Sequence, residues 1–82
     1  MHEYKTSGTC SKKINFDLTD GKVHSVSFED GCPGNLQGLG ILVEGMDAGD
    51  VVKKLKGIQC GRKKTSCPDQ LAIALEQAIA GN

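Results

Sequence analysis

Lys13-Ile14-Asn15-Phe16-Asp17-Leu18-Thr19-Asp20-Gly21-Lys22-Val23-His24-Ser25-Val26-Ser27-Phe28-Glu29 is the stretch that decides the fold. Ile14, Phe16 and Leu18 alternate with Lys13, Asn15 and Asp17, the period-two pattern of a half-buried strand. Asp20-Gly21 follows, and this dipeptide between two alternating runs predicts a type I′ turn, whose central residues need positive φ. The second strand is expected from Val23 to Glu29, with Val26 and Phe28 as its inward pair. His24 shares their parity and reads as a rim residue rather than a ligand. Residues 13–29 therefore form an antiparallel hairpin with one face turned to a core.

Upstream, Met1 to Lys5 can add a short edge strand, and the loop Thr6 to Thr9 leads to Cys10. Downstream, Gly31-Cys32-Pro33-Gly34 ends the hairpin, with Pro33 near the start of a helix, where its missing N–H is no loss. Asn35 to Val43 carries Leu36, Leu39, Ile41, Leu42 and Val43 and is expected as a buried helix, with Gly38 and Gly40 permitting close packing. Asp47 predicts an N-cap for a short helix reaching Lys54 or Leu55, and Gly57 its end. Ser66 or Cys67 is the expected cap of the last helix. Ser66-x-x-Asp69 resembles a capping box, Pro68 lies in the first turn, and Leu71, Ala74, Leu75, Ala78 and Ile79 form an amphipathic stripe. The order implies an α+β fold: a β-hairpin or three-stranded antiparallel sheet followed by two or three helices packed on one face. A single domain is expected to span residues 1–82.

A domain this short has a marginal core and often needs a covalent or metal staple. Phe16, Phe28 and Tyr4 are its only aromatics, and there is no Trp. Ten basic and ten acidic residues cancel, which argues against direct nucleic-acid binding through a general excess of positive charge. No apolar run is long enough to span a membrane. The first residues, Met-His-Glu-Tyr-Lys, lack the apolar centre of a signal peptide, so the chain reads as cytoplasmic. Carboxylates form no rival site: Asp69 and the others read as turn, cap and exposed positions, and no nucleophile–base grouping or phosphate-binding glycine loop is present.

The four cysteines, Cys10, Cys32, Cys60 and Cys67, then stand out. In a reducing compartment four thiols point to metal or redox chemistry rather than to two disulfides. Buried Cys can be an ordinary small hydrophobe, but all four sit beside Gly, Pro, Ser or Thr at element ends. Cys10 precedes the first hairpin strand and Cys32 follows the second, so both belong to the hairpin's open end. Cys67 begins the last helix, whose dipole favours thiolate over thiol, as would Arg62, Lys63 and Lys64. A tetrahedral Cys₄ zinc site is the leading expectation. No Cys-x-x-Cys pair supports it. An iron–sulfur cluster and a redox dithiol formed by Cys60 and Cys67 are the alternatives.

Thr65-Ser66-Cys67-Pro68-Asp69 spells TSCPD, and with Gly31-Cys32-Pro33-Gly34-Asn35, Gly57-Ile58 and Cys60-Gly61 the chain resembles the stand-alone TSCPD-domain family over nearly its whole length. A related domain forms the C-terminus of adenosylcobalamin-dependent ribonucleotide reductases. The resemblance therefore implies an association with ribonucleotide reduction and DNA synthesis, with the reductase or another protein as partner. It does not imply catalysis by this chain alone. The order of strands, cysteines and helices is also similar, more distantly, to the U-type iron–sulfur scaffold family. That likeness places the scaffold's three cysteines on Cys10, Cys32 and Cys67. Lys12 stands where the scaffold has Asp, Ser66 where it has His, its chaperone-binding segment has no counterpart, and Cys60 is an addition. A carboxylate exchanged for a thiol implies a closed Cys₄ site.

Overall fold

The computed structural model describes residues 2–6, 12–29, 33–59 and 65–81. Strand β1 (His2–Lys5), β2 (Lys13–Thr19) and β3 (Lys22–Glu29) precede helices α1 (Pro33–Val43), α2 (Ala48–Leu55) and α3 (Cys67–Ala80). The strands form one antiparallel sheet in the order β1-β2-β3. The expected three strands, then helices, are what the chain forms.

The hairpin turn is built as its dipeptide predicts, with φ of 53° at Asp20 and 77° at Gly21. Ile14 pairs with Phe28 and Leu18 with Val23, so these four share the inner face. Between those pairs the register slips: Asn15 faces Ser27 but Asp17 faces His24. Two residues, Ser25 and Val26, thus oppose Phe16 alone, and Ser25 takes φ 57°. This is a β-bulge. It corrects the expected strand pattern, because a one-residue slip moves every side chain beyond it to the other face. Val23 joins the core, whereas His24 falls on the face opposite Phe28.

The inner face carries Ile14, Phe16 and Val23, all essentially solvent-free, and meets Val43, Ala48, Val51, Leu71, Ala74 and Leu75 in one cluster. The outer face is polar. There Lys13 bridges Glu3 at 3.4 Å and Glu29 at 3.3 Å.

Helix α1 runs beside β3 and reaches the core through Val43, with Leu39 packed against it. Gly40 is the point of closest approach: a Cβ there would lie 2.9 Å from the Val26 carbonyl oxygen. Leu36, Gly40 and Val43 are buried at near-helical spacing, but Ile41 is 68% and Leu42 75% exposed. The expectation of a buried helix is corrected: among the described residues α1 packs mainly against β3, and Ile41 and Leu42 lie on its outward side. The 44–47 connection then pairs with the start of β3. Val23 and Met46 are joined at 2.8 Å, Gly45 and Val23 at 2.7 Å, and Ala48 donates to Gly21 at 2.9 Å.

Asp47 caps α2, accepting from the Gly49 N–H at 2.9 Å. Gly57 follows the C-cap Lys56 with φ 90°. Helix α3 lays Leu71, Ala74 and Leu75 into the core as its stripe predicts, while Ile79 at its far end is exposed. Ala72 is also solvent-free. Among the described residues no helix is long and apolar enough to cross a membrane.

Candidate metal centre

Three of the four expected ligands, Cys10, Cys32 and Cys60, lie outside the described residues, as do Arg62, Lys63 and Lys64. Cys67 is described. It is the first residue of α3 and 7% exposed. Among the described residues no three His, Cys, Asp or Glu side chains converge as a metal site would need. What the structure does give is the framework from which each cysteine segment departs.

The first framework point is the open end of the hairpin. Lys12 donates to the Glu29 carbonyl at 2.7 Å, and Thr6 donates to the Lys12 carbonyl at 3.2 Å. Thr6, Lys12 and Glu29, the described residues that border the segments of Cys10 and Cys32, are thereby held together. Cys10 is two residues before Lys12, and Cys32 three after Glu29.

The second point is a hydrogen-bonded clasp between the end of α2 and the start of α3. Ser66 is the N-cap, with its hydroxyl accepting from the Asp69 N–H at 3.1 Å. The same hydroxyl donates to the Ile58 carbonyl at 2.6 Å. Asp69 does not reach back to its own cap residue as a full capping box would. Its carboxylate instead accepts from the Gly57 N–H at 2.7 Å and from the Thr65 hydroxyl. Gln70 donates its amide to the Thr65 oxygen at 2.9 Å. Ser66, Asp69 and Gln70 are all buried.

Asp69, expected as an exposed cap, is only 6% exposed. Sequence reasoning missed it because Asp in a helix's first turn ordinarily faces water and the dipole. The available signal was Thr65 four residues earlier, a partner that an exposed carboxylate would not need.

The clasp gives each letter of Thr65-Ser66-Cys67-Pro68-Asp69 a physical job. Thr65 links Asp69 to Gln70, Ser66 caps, Pro68 sits in the first turn where it needs no N–H partner, and Asp69 ties the helix to Gly57. Cys67 is held at the helix start between them. A cysteine sulfur is a soft donor, chemically suited to a soft cation.

The fold and this framework define a small α+β domain that presents a cysteine at a clasped helix start. The TSCPD domain matches residues 2–79. The chain belongs to the TSCPD-domain family. No curated protein and no solved structure matches it.

Proposed function

We propose that this chain is a metal-binding accessory module in which Cys10, Cys32, Cys60 and Cys67 hold one zinc ion. The observation that supports this reading is a pair of hydrogen bonds between described residues close in sequence to the cysteines. Lys12, two residues after Cys10, donates to the carbonyl of Glu29, three residues before Cys32. Ser66, next to Cys67, donates to the carbonyl of Ile58, two residues before Cys60.

Four thiolates suit tetrahedral zinc in a closed, structural site. Bound there, zinc would add stability to a core with few large side chains, in the range of about 10 kcal/mol or more for structural sites of small domains. The basic residues Arg62, Lys63 and Lys64 offset the negative charge such a complex carries. The association with ribonucleotide reduction rests on the TSCPD resemblance, and in it the module serves the reductase rather than performing the reaction.

Elemental analysis with thiol counting on native protein tests the site. One zinc per chain, with thiols that react only after unfolding or chelation, is the expected result. Substoichiometric metal with four freely reacting thiols would overturn it, and iron with sulfide would replace zinc by a cluster. Calorimetric titration into a purified adenosylcobalamin-dependent ribonucleotide reductase tests the association, which absence of binding would refute.

A further inference from the structure

Strand β1 is an edge, and its hydrogen-bonding parity is fixed by one bond. Thr6 donates to Lys12, which continues the register His2↔Phe16, Tyr4↔Ile14 by one further step of two. Bonded and non-bonded pairs alternate along an antiparallel ladder. His2, Tyr4 and Thr6 therefore spend their backbone groups on β2, and Glu3 and Lys5 turn their N–H and C=O outward to an edge that no strand covers among the described residues.

The side chains on that edge are self-complementary. In a two-fold antiparallel pairing, opposite residues must share a sheet face. Pairing centred on Glu3 sets Glu3 against Glu3, and pairing centred on Lys5 sets Lys5 against Lys5. Centred on Tyr4, the pairing sets Glu3 against Lys5 twice and Tyr4 against Tyr4. Only this register joins opposite charges, and it also uses the four outward backbone groups of each copy in four hydrogen bonds.

Two further observations favour an added strand there. Within its own sheet Lys5 faces Lys13, a like charge, while Lys13 bonds Glu3 and Glu29. A carboxylate from across the edge would offset that repulsion. A groove of about 210 Å³ also runs between β1 and α3, with His2, Glu3 and Tyr4 on the strand side and Ala74, Gln77 and Ala78 on the helix side. The Tyr4 side chain of an added strand would enter beside this groove.

We propose that the β1 edge is a homodimer interface, two copies joining their sheets about a two-fold axis at Tyr4 into one six-stranded sheet. The inference is independent of the metal reading. The opposite edge is occupied: β3 is flanked by α1 at Val26 and by residues 45–47. A four-residue strand is a small interface, so the dimer is expected to be weak.

Sedimentation equilibrium up to about 1 mM, a range that detects weak self-association, is the test. The wild-type chain is expected to dimerise. Lys5→Glu places like charges opposite one another twice and is expected to raise the dissociation constant roughly tenfold or more. The exchange Glu3→Lys with Lys5→Glu restores complementarity and is expected to restore dimerisation. Lys5→Pro removes a donor that serves only the interface and should also give monomers, with unchanged far-ultraviolet dichroism showing that the fold persists. Amide exchange should slow with concentration at Glu3 and Lys5. A wild-type monomer throughout the range, or a dimer indifferent to Lys5→Glu and Lys5→Pro, would overturn the proposal.

Discussion

The carboxylate of Asp69 and the backbone N–H of Gly57 are 2.7 Å apart, which ties the first turn of α3 to the residue that ends α2. The other carboxylate oxygen takes the Thr65 hydroxyl. Asp69→Ala leaves two donors without their acceptor in a part-buried place. The expected loss is about 2–3 kcal/mol, the cost of orphaning groups that bonded a charged acceptor. Asp69→Asn keeps one acceptor oxygen and is expected to lose about half as much. Urea unfolding of the two variants measures both, and equal losses would show that the carboxylate's second bond contributes nothing.

Gly40 and Gly38 lie in the same helix with opposite expectations. A Cβ at Gly40 meets the Val26 carbonyl oxygen at 2.9 Å, whereas one at Gly38 meets nothing within 4 Å. Gly40→Ala must push α1 off β3 and is expected to cost about 1–3 kcal/mol. Gly38→Ala removes only unfolded-chain freedom and is expected to stabilise by about 0.5–1 kcal/mol. Thermal melts of the two single variants compare the signs directly.

That pair also shows what the sequence could and could not convey. Asp20-Gly21, the Asp47 and Ser66 caps and the stripe through Leu71 and Leu75 were legible because each depends on its own few residues. The bulge at Ser25 was not, since Ser carries no signal for positive φ, and His24 was consequently placed on the wrong face. Ile41 and Leu42 read as buried because composition cannot report how many sides of a helix have neighbours. Burial of Asp69 depends on Gly57, twelve residues away in sequence, and no local pattern announces it. Of the candidate site, Cys67 stands at the helix start as read. The other three cysteines fall outside the described residues, and only the bonds at the base of their segments bear on them.

Stability should respond to pH at both ends of the scale through exposed pairs. The Glu44 carboxyl is held below its ordinary 4.5 by the Ser25 N–H, then by His24, which it meets at 2.6 Å. Glu29 is held below 4.5 by the Asn15 amide, then by Lys13. A lowered folded value means that the stabilisation is complete above 4.5 and is lost as pH falls through the folded values. Lys13 is raised above 10.5 by Glu29, then Glu3, so its contribution is complete below 10.5 and is lost as pH climbs through the folded value. Urea midpoints are therefore expected to fall towards both extremes. Glu44→Gln should flatten part of the acid-side fall and leave the alkaline side unchanged.

If the proposed zinc site is present, variants of the two neighbours Ser66 and Cys67 separate the clasp from the metal. Ser66→Ala removes the N-cap and the bond to Ile58, so a loss of about 1–2 kcal/mol is expected, with the zinc stoichiometry of the native protein retained. Cys67→Ser keeps a small side chain at the buried helix start but deletes the sulfur, so the proposed site is expected to hold zinc more weakly and to lose it on dialysis against a chelator. The two effects differ in kind. Chelation should lower the melting temperature of the native protein and of Ser66→Ala by similar amounts, because both would lose the same closed site. It should leave Cys67→Ser nearly unmoved, because that variant has already lost the ion. Full zinc retention by Cys67→Ser would remove this residue from the ligand set and leave its burial as simple packing beneath the clasp.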